Sequence, residues 1–593
     1  MRKLFPLILL LATLCLAGCA GDILKLTDDP ISDGSGDGAP DGSIDETTFS
    51  GEVTIVYDGD VATVNGATGQ FSQVINGAEV AITYTGSETI IYTLSGESSN
   101  GFFKLYSDVR QAVKLDGLKL TNPEGAAINI QSGHLTYLDI SGNNSLSDSS
   151  SAPYSNGGED CKAVLFSEGS LLMSGNGTLD VNAGNAQGKS CIASDDHLVV
   201  SASPNITVSA GADAGHGIKA NDYVMISGGT LNISTNAAMK KGITSDGYVL
   251  VEGGETIINV SGGVAKDDDG EYTGSAGIKA DNFFGMTGGA VTITNTGDGG
   301  KGIRAGSYNY DSKSHTLSDS YVKGGVLKIT TTGSEVNDVS AKGIKIGYKE
   351  SATKAGGGWG WGGEGNYVYA GNMVVSGGKI TVSSSKSEGF EVKGDLTFDG
   401  GETYVFSNAD DAINSQGDLT VNGGFVFGYS TGNDGIDANS DIKLYGGYTF
   451  GICTRGTPEV GIDANSEGGY KLYIYSGATL VAYGGLESGY SAEQNVYNFS
   501  CTANEWNALW DGTKFIAAFK VPAGLSTLAV SAPSLSSGYK GVTVGSELCN
   551  GVWATEGISG GSEVSLTTYS GGGGSYPGGP GGPGGGGPRP PGW

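Results

Sequence analysis

AGIKAD at residues 276–281, followed by the pair Gly288-Gly289, holds the pattern that decides the fold. The first glycine of the pair falls ten residues after the apolar anchor Ile278. The same offset separates Ile218 from Gly228, Ile243 from Gly253, Phe390 from Gly400, Ile413 from Gly423 and Ile436 from Gly446. The motif itself recurs as HGIKAN (216–221), KGITSD (241–246), KGIRAG (301–306), KGIKIG (342–347), EGFEVK (388–393), DAINSQ (411–416), DGIDAN (434–439) and VGIDAN (460–465). A fixed offset between a turn signal and a strand anchor marks a stacked repeat. From Ile192 onward, successive anchors lie 26, 25, 35, 25, 41, 46, 23, 23 and 26 residues apart, so the basic unit is 23 to 26 residues. Residues 229–234, Gly-Thr-Leu-Asn-Ile-Ser, alternate apolar and polar as a strand with one inward face does. Three short strands and three turns per unit predict an all-β fold, a right-handed parallel β-helix of roughly 10–12 rungs with capped ends. At ~4.8 Å per rung the rod would be roughly 50–60 Å long.

Composition agrees. The 593 residues include 105 glycines, and only 16% are charged. Glycine disfavours helix interiors, and Val, Ile, Thr and Tyr suit strands. The net charge of −30 argues against a nucleic-acid partner, which needs a basic face, and suits an extracellular protein that holds cations.

Arg2 and Lys3 precede an apolar run, Leu4 to Leu16, that is short for a membrane span. It ends in Leu16-Ala17-Gly18-Cys19, which resembles a bacterial lipobox. That resemblance implies a signal peptide over 1–18 and a lipid anchor on Cys19, placing the protein in the bacterial cell envelope, with the outer membrane or cell surface as candidate locations. An ordinary signal peptide is the alternative. Residues 19–50 read as the anchor and a flexible tether, 51–496 as the coil, 497–570 as C-terminal rungs or cap, and 571–593 as a Gly/Pro-rich disordered tail. Five cysteines remain beyond Cys19, an odd number that does not read as a disulfide framework. Cys161 with Cys191 and Cys501 with Cys549 are candidate pairs, and buried free thiols are the alternative.

Three insertions break the period and should project as loops. One, before Ile278, holds Lys266-Asp267-Asp268-Asp269; one follows Ile303 and brings Tyr308 and Tyr310; one follows Ile344 and brings Trp359 and Trp361. These flat aromatics could stack on sugar rings or fold down as apolar cover.

Aligning the repeats gives two charged columns. Two positions before the anchor stand His216, Lys241, Ala276, Lys301 and Lys342, then Glu388, Asp411, Asp434 and Val460. One position after it stand Lys219, Thr244, Lys279, Arg304 and Lys345, then Glu391, Asn414, Asp437 and Asp463. Both change sign between Lys345 and Glu388. On the acidic side, Glu388, Glu391, Asp410, Asp411, Asn414, Asp434, Asp437 and Asp463 form a candidate calcium-binding set, because stacked carboxylates repel and Ca2+ accepts irregular oxygen ligands. A solvated acidic face is the plain alternative. On the basic side, Lys219, Lys241, Lys279, Lys301, Arg304, Lys342 and Lys345 form a ladder suited to a polyanion such as a polyuronate, or one that only discourages lateral association.

The GIKAN, GIKAD and GIDAN motifs, with Val109–Leu118, Ala126–Ile130 and Ser531–Gly538, resemble a family of bacterial carbohydrate-binding β-helix proteins. The family's fold is similar to that of calcium-dependent pectate lyases, and the likeness runs over residues 50 to 550. It implies binding of plant-type polysaccharides, cellulose and pectin, with calcium and without catalysis. The family's acid two positions before the anchor is present at Glu388, Asp411 and Asp434 and replaced at His216, Lys241, Lys301 and Lys342. The resemblance therefore implies calcium only in the C-terminal half. Three functions follow as expectations: a lipid-anchored polysaccharide-binding protein; a calcium-dependent lyase acting by β-elimination on a polyuronate; or an adhesin or envelope scaffold.

Overall fold

The computed structural model describes residues 49–148, 154, 158–185, 187–307, 316–351 and 367–571. Cys19, the signal and tether, the glycine-rich tail, and the aromatics Tyr308, Tyr310, Trp359 and Trp361 lie outside the described residues. Among the described residues, helix is confined to a three-residue 3-10 turn, Ser466–Gly468. No helix there is long and apolar enough to cross a membrane.

The protein is all-β, and two large, mainly parallel sheets of 32 and 15 strands dominate it. Each unit gives one strand to the smaller sheet and two to the larger. For the unit anchored by Ile243 these are Lys241–Ser245, then Tyr248–Val251 and Glu255–Val260. Each pairs in parallel with its counterpart one unit on: Ile243 with Ile278, Val249 with Phe284, Ile258 with Ile293.

The anchor column is unbroken in the smaller sheet. It starts at Val80, Phe103, Ile128, Leu165 and Ile192, before the motif is plain in the sequence, and continues to Ile462. No member is more than 1% exposed. Burial of each such side chain contributes about 1.5–3 kcal/mol relative to exposure. The insertions lengthen connections without shifting this register: Ile303 still pairs with Ile344, and Ile344 with Phe390.

Two glycine positions explain the motif. A Cβ on Gly302 would lie 2.3 Å from Ile329 Cγ2 and 2.5 Å from the Gly343 carbonyl oxygen, so the residue before the anchor at this repeat has no room for one; Ala412 shows that the position before Ile413 does. In the glycine pair, Gly288 would strike the Glu252 carbonyl oxygen at 2.3 Å, and Gly289 has φ +72°, a conformation that other residues rarely adopt.

Hairpins begin the stack: Gly51–Asp58 with Val61–Asn65, and Phe71–Asn76 with Ala78–Tyr84. At the other end Thr479–Tyr483 pairs antiparallel with Thr527–Ser531. The C-terminal segment does more than cover that edge. It builds a five-stranded antiparallel sheet and lays Phe519 and Trp553 against Phe450, on the outer face of the larger sheet. Cys161, Cys191, Cys453, Cys501 and Cys549 are all buried and unpaired.

Candidate functional site

Strict strand alternation would send the residues two before and one after the anchor to opposite faces. The small residue before the anchor, glycine at most of these repeats and Ala412 at one, breaks that alternation. Gly302 and Ile303 both face the interior, where Gly302 meets the buried Ile329. Both charged columns therefore lie side by side on the outer face of the smaller sheet. The contacts show it: Asn414 Nδ2 donates to Asp411 Oδ2 at 3.0 Å, and Lys342 Nζ lies 2.7 Å from Glu391 Oε1.

The column after the anchor is continuous in register, Lys219, Thr244, Lys279, Arg304, Lys345, Glu391, Asn414, Asp437 and Asp463. The sign change aligned in the sequence is thus a sign change along one surface.

The basic ladder divides in two. Lys241, Lys301 and Lys342 are buried, a departure from a ladder of seven exposed cations. Lys241 Nζ donates to the Met239 carbonyl, and Lys301 Nζ to the Gly299 carbonyl at 2.9 Å. Burial, then nearby Arg304 and Lys279, lowers the Lys241 ammonium to about 7. Lys219, Lys279, Arg304 and Lys345 remain partly exposed. Lys279 is paired with Asp281 at 2.7 Å. Among the described residues, Arg304 and Lys345 have no carboxylate within ion-pair distance; Arg304 Nη1 donates to Thr273 Oγ1 at 3.3 Å. Lys345 is lowered to about 8 by burial and by neighbouring Lys342 and Arg304.

Where the sign changes, Lys342 sits between Glu388 (2.6 Å) and Glu391 (2.7 Å), and Lys393 also contacts Glu391. Glu388 and Glu391 are therefore already neutralised by lysines, which separates them from the other acids of the calcium set. Lys342, then Lys345 and Lys393, hold the Glu391 carboxyl well below the usual carboxylate range despite its burial.

The acids beyond have no such partner. Asp410, Asp411, Asp434, Asp437 and Asp463 form no ion pair among the described residues, and Asp411 and Asp434 are buried. Asp411 accepts from the Asp434 amide at 3.0 Å, Asp434 from the Val460 amide at 2.5 Å, and Asp437 from Asn414 Nδ2 at 2.6 Å. Burial and the charge of Glu388 push Asp410 up to about 8 and Asp411 to about 7. Burial and Asp411 push Asp434 to about 8; Asp437 is raised for the same reasons. Asp463, partly buried and hydrogen-bonded to Glu487, rises to about 11. The donor set is all oxygen and uncompensated, which suits a hard cation. As placed, no three His, Cys, Asp or Glu side chains among the described residues already converge as a metal cage.

Several residues escaped the sequence reading. Glu487, which meets Asp463, and Lys393, which neutralises Glu391, lie outside the two aligned columns. A ring stack, His197, Tyr223, Tyr248, Phe283 and Tyr321, runs along the stacking direction with centroids 4.6 to 5.9 Å apart. Its first four members each stand five residues after an anchor, so the alignment contained the signal. A depression of about 560 Å³, lined in part by Asp148, Asn182 and Ser209, lies on the larger sheet and away from both charged columns. Its one carboxylate, Asp148, is already bonded to Tyr154, Asn185 and the Gly184 amide.

The fold and the site together define an all-β protein of large, mainly parallel sheets with charged columns on one sheet face. The family of carbohydrate-binding domain-containing proteins matches residues 76–359 and 362–501, most of the chain, and the chain belongs to that family. Among solved structures, it is similar to the polysaccharide lyase-like protein from C. thermocellum, solved as a gadolinium derivative. The identity is 23% and the TM-score 0.35, over 43% of this chain and 95% of that one. No curated protein was found to match it.

Proposed function

We propose that the protein is a non-catalytic, calcium-containing polysaccharide-binding protein, held to the bacterial envelope by a lipid on Cys19. In this reading the chain winds as a right-handed parallel β-helix over 51–496, with 497–570 covering its end and one outer side. Membership of the carbohydrate-binding family is the observation that carries the reading. The partly exposed cations Lys219, Arg304 and Lys345, with Lys279 beside them paired to Asp281, favour an acidic ligand over a neutral one.

Calcium would be held by Asp410, Asp411, Asn414, Asp434, Asp437 and Asp463, whose mutual repulsion it would relieve. Glu388 and Glu391 fit less well, because Lys342 and Lys393 already neutralise them. A calcium-dependent lyase is the competing reading. Lys345, with its lowered ammonium pKa, is the residue that favours it, since β-elimination needs a base beside the cation.

The test is retention of residues 50–570 on polygalacturonate and on cellulose, with calcium and then with a chelator, while unsaturated product is followed by absorbance. Calcium-dependent retention without product supports the binding reading. Product formation makes the protein a lyase. No retention in either condition sinks the polysaccharide reading and favours an adhesin or scaffold.

A further inference from the structure

The two ends of the stack differ. At the C-terminal end Thr479–Tyr483 is covered by the antiparallel strand Thr527–Ser531, and Leu486 bridges to Ile462, the last anchor. At the N-terminal end two edges stay open. Among the described residues, Phe71–Asn76 is the terminal strand of the smaller sheet and pairs with Ala78–Tyr84 alone, and Val61–Asn65 pairs with Gly51–Asp58 alone. The Ala62 amide donates to the Gly77 carbonyl at 2.9 Å, which fixes the two edges relative to each other. Phe49 packs edge-on against Tyr137, three strands along the stack from Gly51–Asp58. The chain therefore comes to its first strand from the side of the stack, away from the open end.

Neither edge strand carries the charges or prolines that ordinarily keep an exposed edge from pairing. VATVN (61–65) and FSQVIN (71–76) are uncharged, in a protein of net charge −30. Four of the ten exposed large hydrophobic side chains among the described residues lie on these two hairpins: Val56, Val61 (55% exposed), Val74 (71%) and Ile75 (40%). Ile75 pairs with Val80, the first anchor, so it prolongs the inward apolar column by one strand and stands open there. Phe71, its neighbour on the same face, packs on Tyr84 and Tyr92. The end is thus a cross-section of the core, where a stacked-repeat protein ordinarily carries a polar-faced cap.

We infer that this end is a self-association surface, and that two copies of the chain join there end to end, each prolonging the other's sheets. A single extended segment pairs with one edge only. A second copy brings both edges at the separation that Ala62 and Gly77 fix. The contact is isologous; it buries Val61, Val74 and Ile75 and gives partners to the free amides and carbonyls of both edges. The edges are five and six residues long, about 16–20 Å, so the contact is small and the dimer exchanges with monomer, with a Kd on the order of micromolar. Asp58, Asp60 and Glu79 rim the end, so salt tightens the contact by screening their repulsion across it. The inference is independent of the polysaccharide-binding reading. It leaves the charged columns of both copies uncovered, so one dimer presents two such surfaces.

Sedimentation velocity of the full-length protein in detergent, from about 1 to about 100 µM and at low and high salt, tests this. A monomer–dimer equilibrium that salt shifts toward dimer is expected. Neutron scattering with the detergent contrast-matched should give the dimer nearly twice the monomer's maximum dimension, a measure that needs no variant. Val61→Lys with Val74→Lys puts like charges on both edges and should weaken association at least about tenfold. Val326→Lys, 48% exposed but in mid-stack, should leave association unchanged. All three positions face solvent, so an unchanged melting temperature confirms that the variants fold. A monomer at every concentration, a dimer no longer than the monomer, or association that survives the two lysines overturns the end-to-end contact. Slow amide exchange at every residue of Phe71–Asn76 in such a monomer would assign the edge to the chain's own leading segment and overturn it equally.

Discussion

Lys345 and Glu391 occupy the same outward position on successive strands of the smaller sheet, and the charge of the surface reverses between them. Lys342, one strand before Glu391, closes the gap by pairing with both Glu388 and Glu391. The reversal is therefore a built junction between a cationic stretch and an anionic one, and each side makes its own predictions.

The acidic side should make metal-free stability fall as pH rises. Asp411 and Asp434 titrate near 7 and 8 when folded, above the ordinary carboxylate value of about 3.9. Between those limits the folded state holds more protons than the unfolded one, so stability is full at low pH and is lost as pH rises through 7 to 8. In chelator the melting temperature should be lower at pH 8.5 than at pH 5.5. Calcium should restore it most at pH 8.5, where the carboxylates are ionised. A melting temperature in chelator that rises with pH would contradict this account of the acids.

Asp437→Asn should separate the two effects. Asp437 is crowded by Asp411, Asp434 and Asp410. Removing its charge should stabilise the metal-free protein at pH 8 and weaken calcium binding on the order of tenfold. Calcium titration and melting of the same preparation measure both. Equal calcium affinity in the variant would remove Asp437 from the ligand set.

Lys342→Met should be among the most damaging single changes. It leaves Glu391, 2% exposed, with Lys393 as its one remaining direct ion-pair partner among the described residues. Breaking a buried pair from one side costs about 3–5 kcal/mol. Denaturant titration should show the loss, and Glu388→Gln with Glu391→Gln in the same chain should recover part of it.

Gly302→Ala should destabilise by about 1–3 kcal/mol, the cost of overpacking a filled interior. The new Cβ would meet Ile329 Cγ2 and the Gly343 carbonyl, which neighbouring repeats fix in place. Ala substitution at the exposed Gly59, whose added Cβ meets nothing but whose φ is +63°, tests backbone strain alone. A stable Gly302→Ala protein would show that this close approach is not required.

Trp553→Ala tests the lateral packing of the C-terminal segment. Trp553 is fully buried against Tyr448, Phe450 and Phe519. Its loss should cost about 3–5 kcal/mol and expose an aromatic face prone to association. Sedimentation and thermal melting would detect both. A monomeric variant of unchanged stability would show that this contact is dispensable.

What the sequence by itself determined was the register. An inward apolar anchor, a glycine or alanine before it and a glycine pair ten residues on repeat because each unit rests on the last, so one local rule recurs along the chain. Aligning Ile243, Ile278 and Ile303 in the sequence was therefore equivalent to pairing them in space, and the columns through Lys279, Arg304 and Asp437 came with them.

What only the tertiary structure decided was which charges face solvent and which face each other. Lys301 and Arg304 look alike in the sequence, yet the first is buried on a backbone carbonyl and the second lies partly open beside a hairpin. Lys393 and Glu487 reach the columns from outside the aligned positions. The C-terminal segment covers one side of the larger sheet through contacts such as Cys549 to Glu402, 147 residues apart. The local repeat sets the spacing of neighbours, but burial and pairing depend on insertions and on segments distant in the chain, which a periodic pattern does not encode.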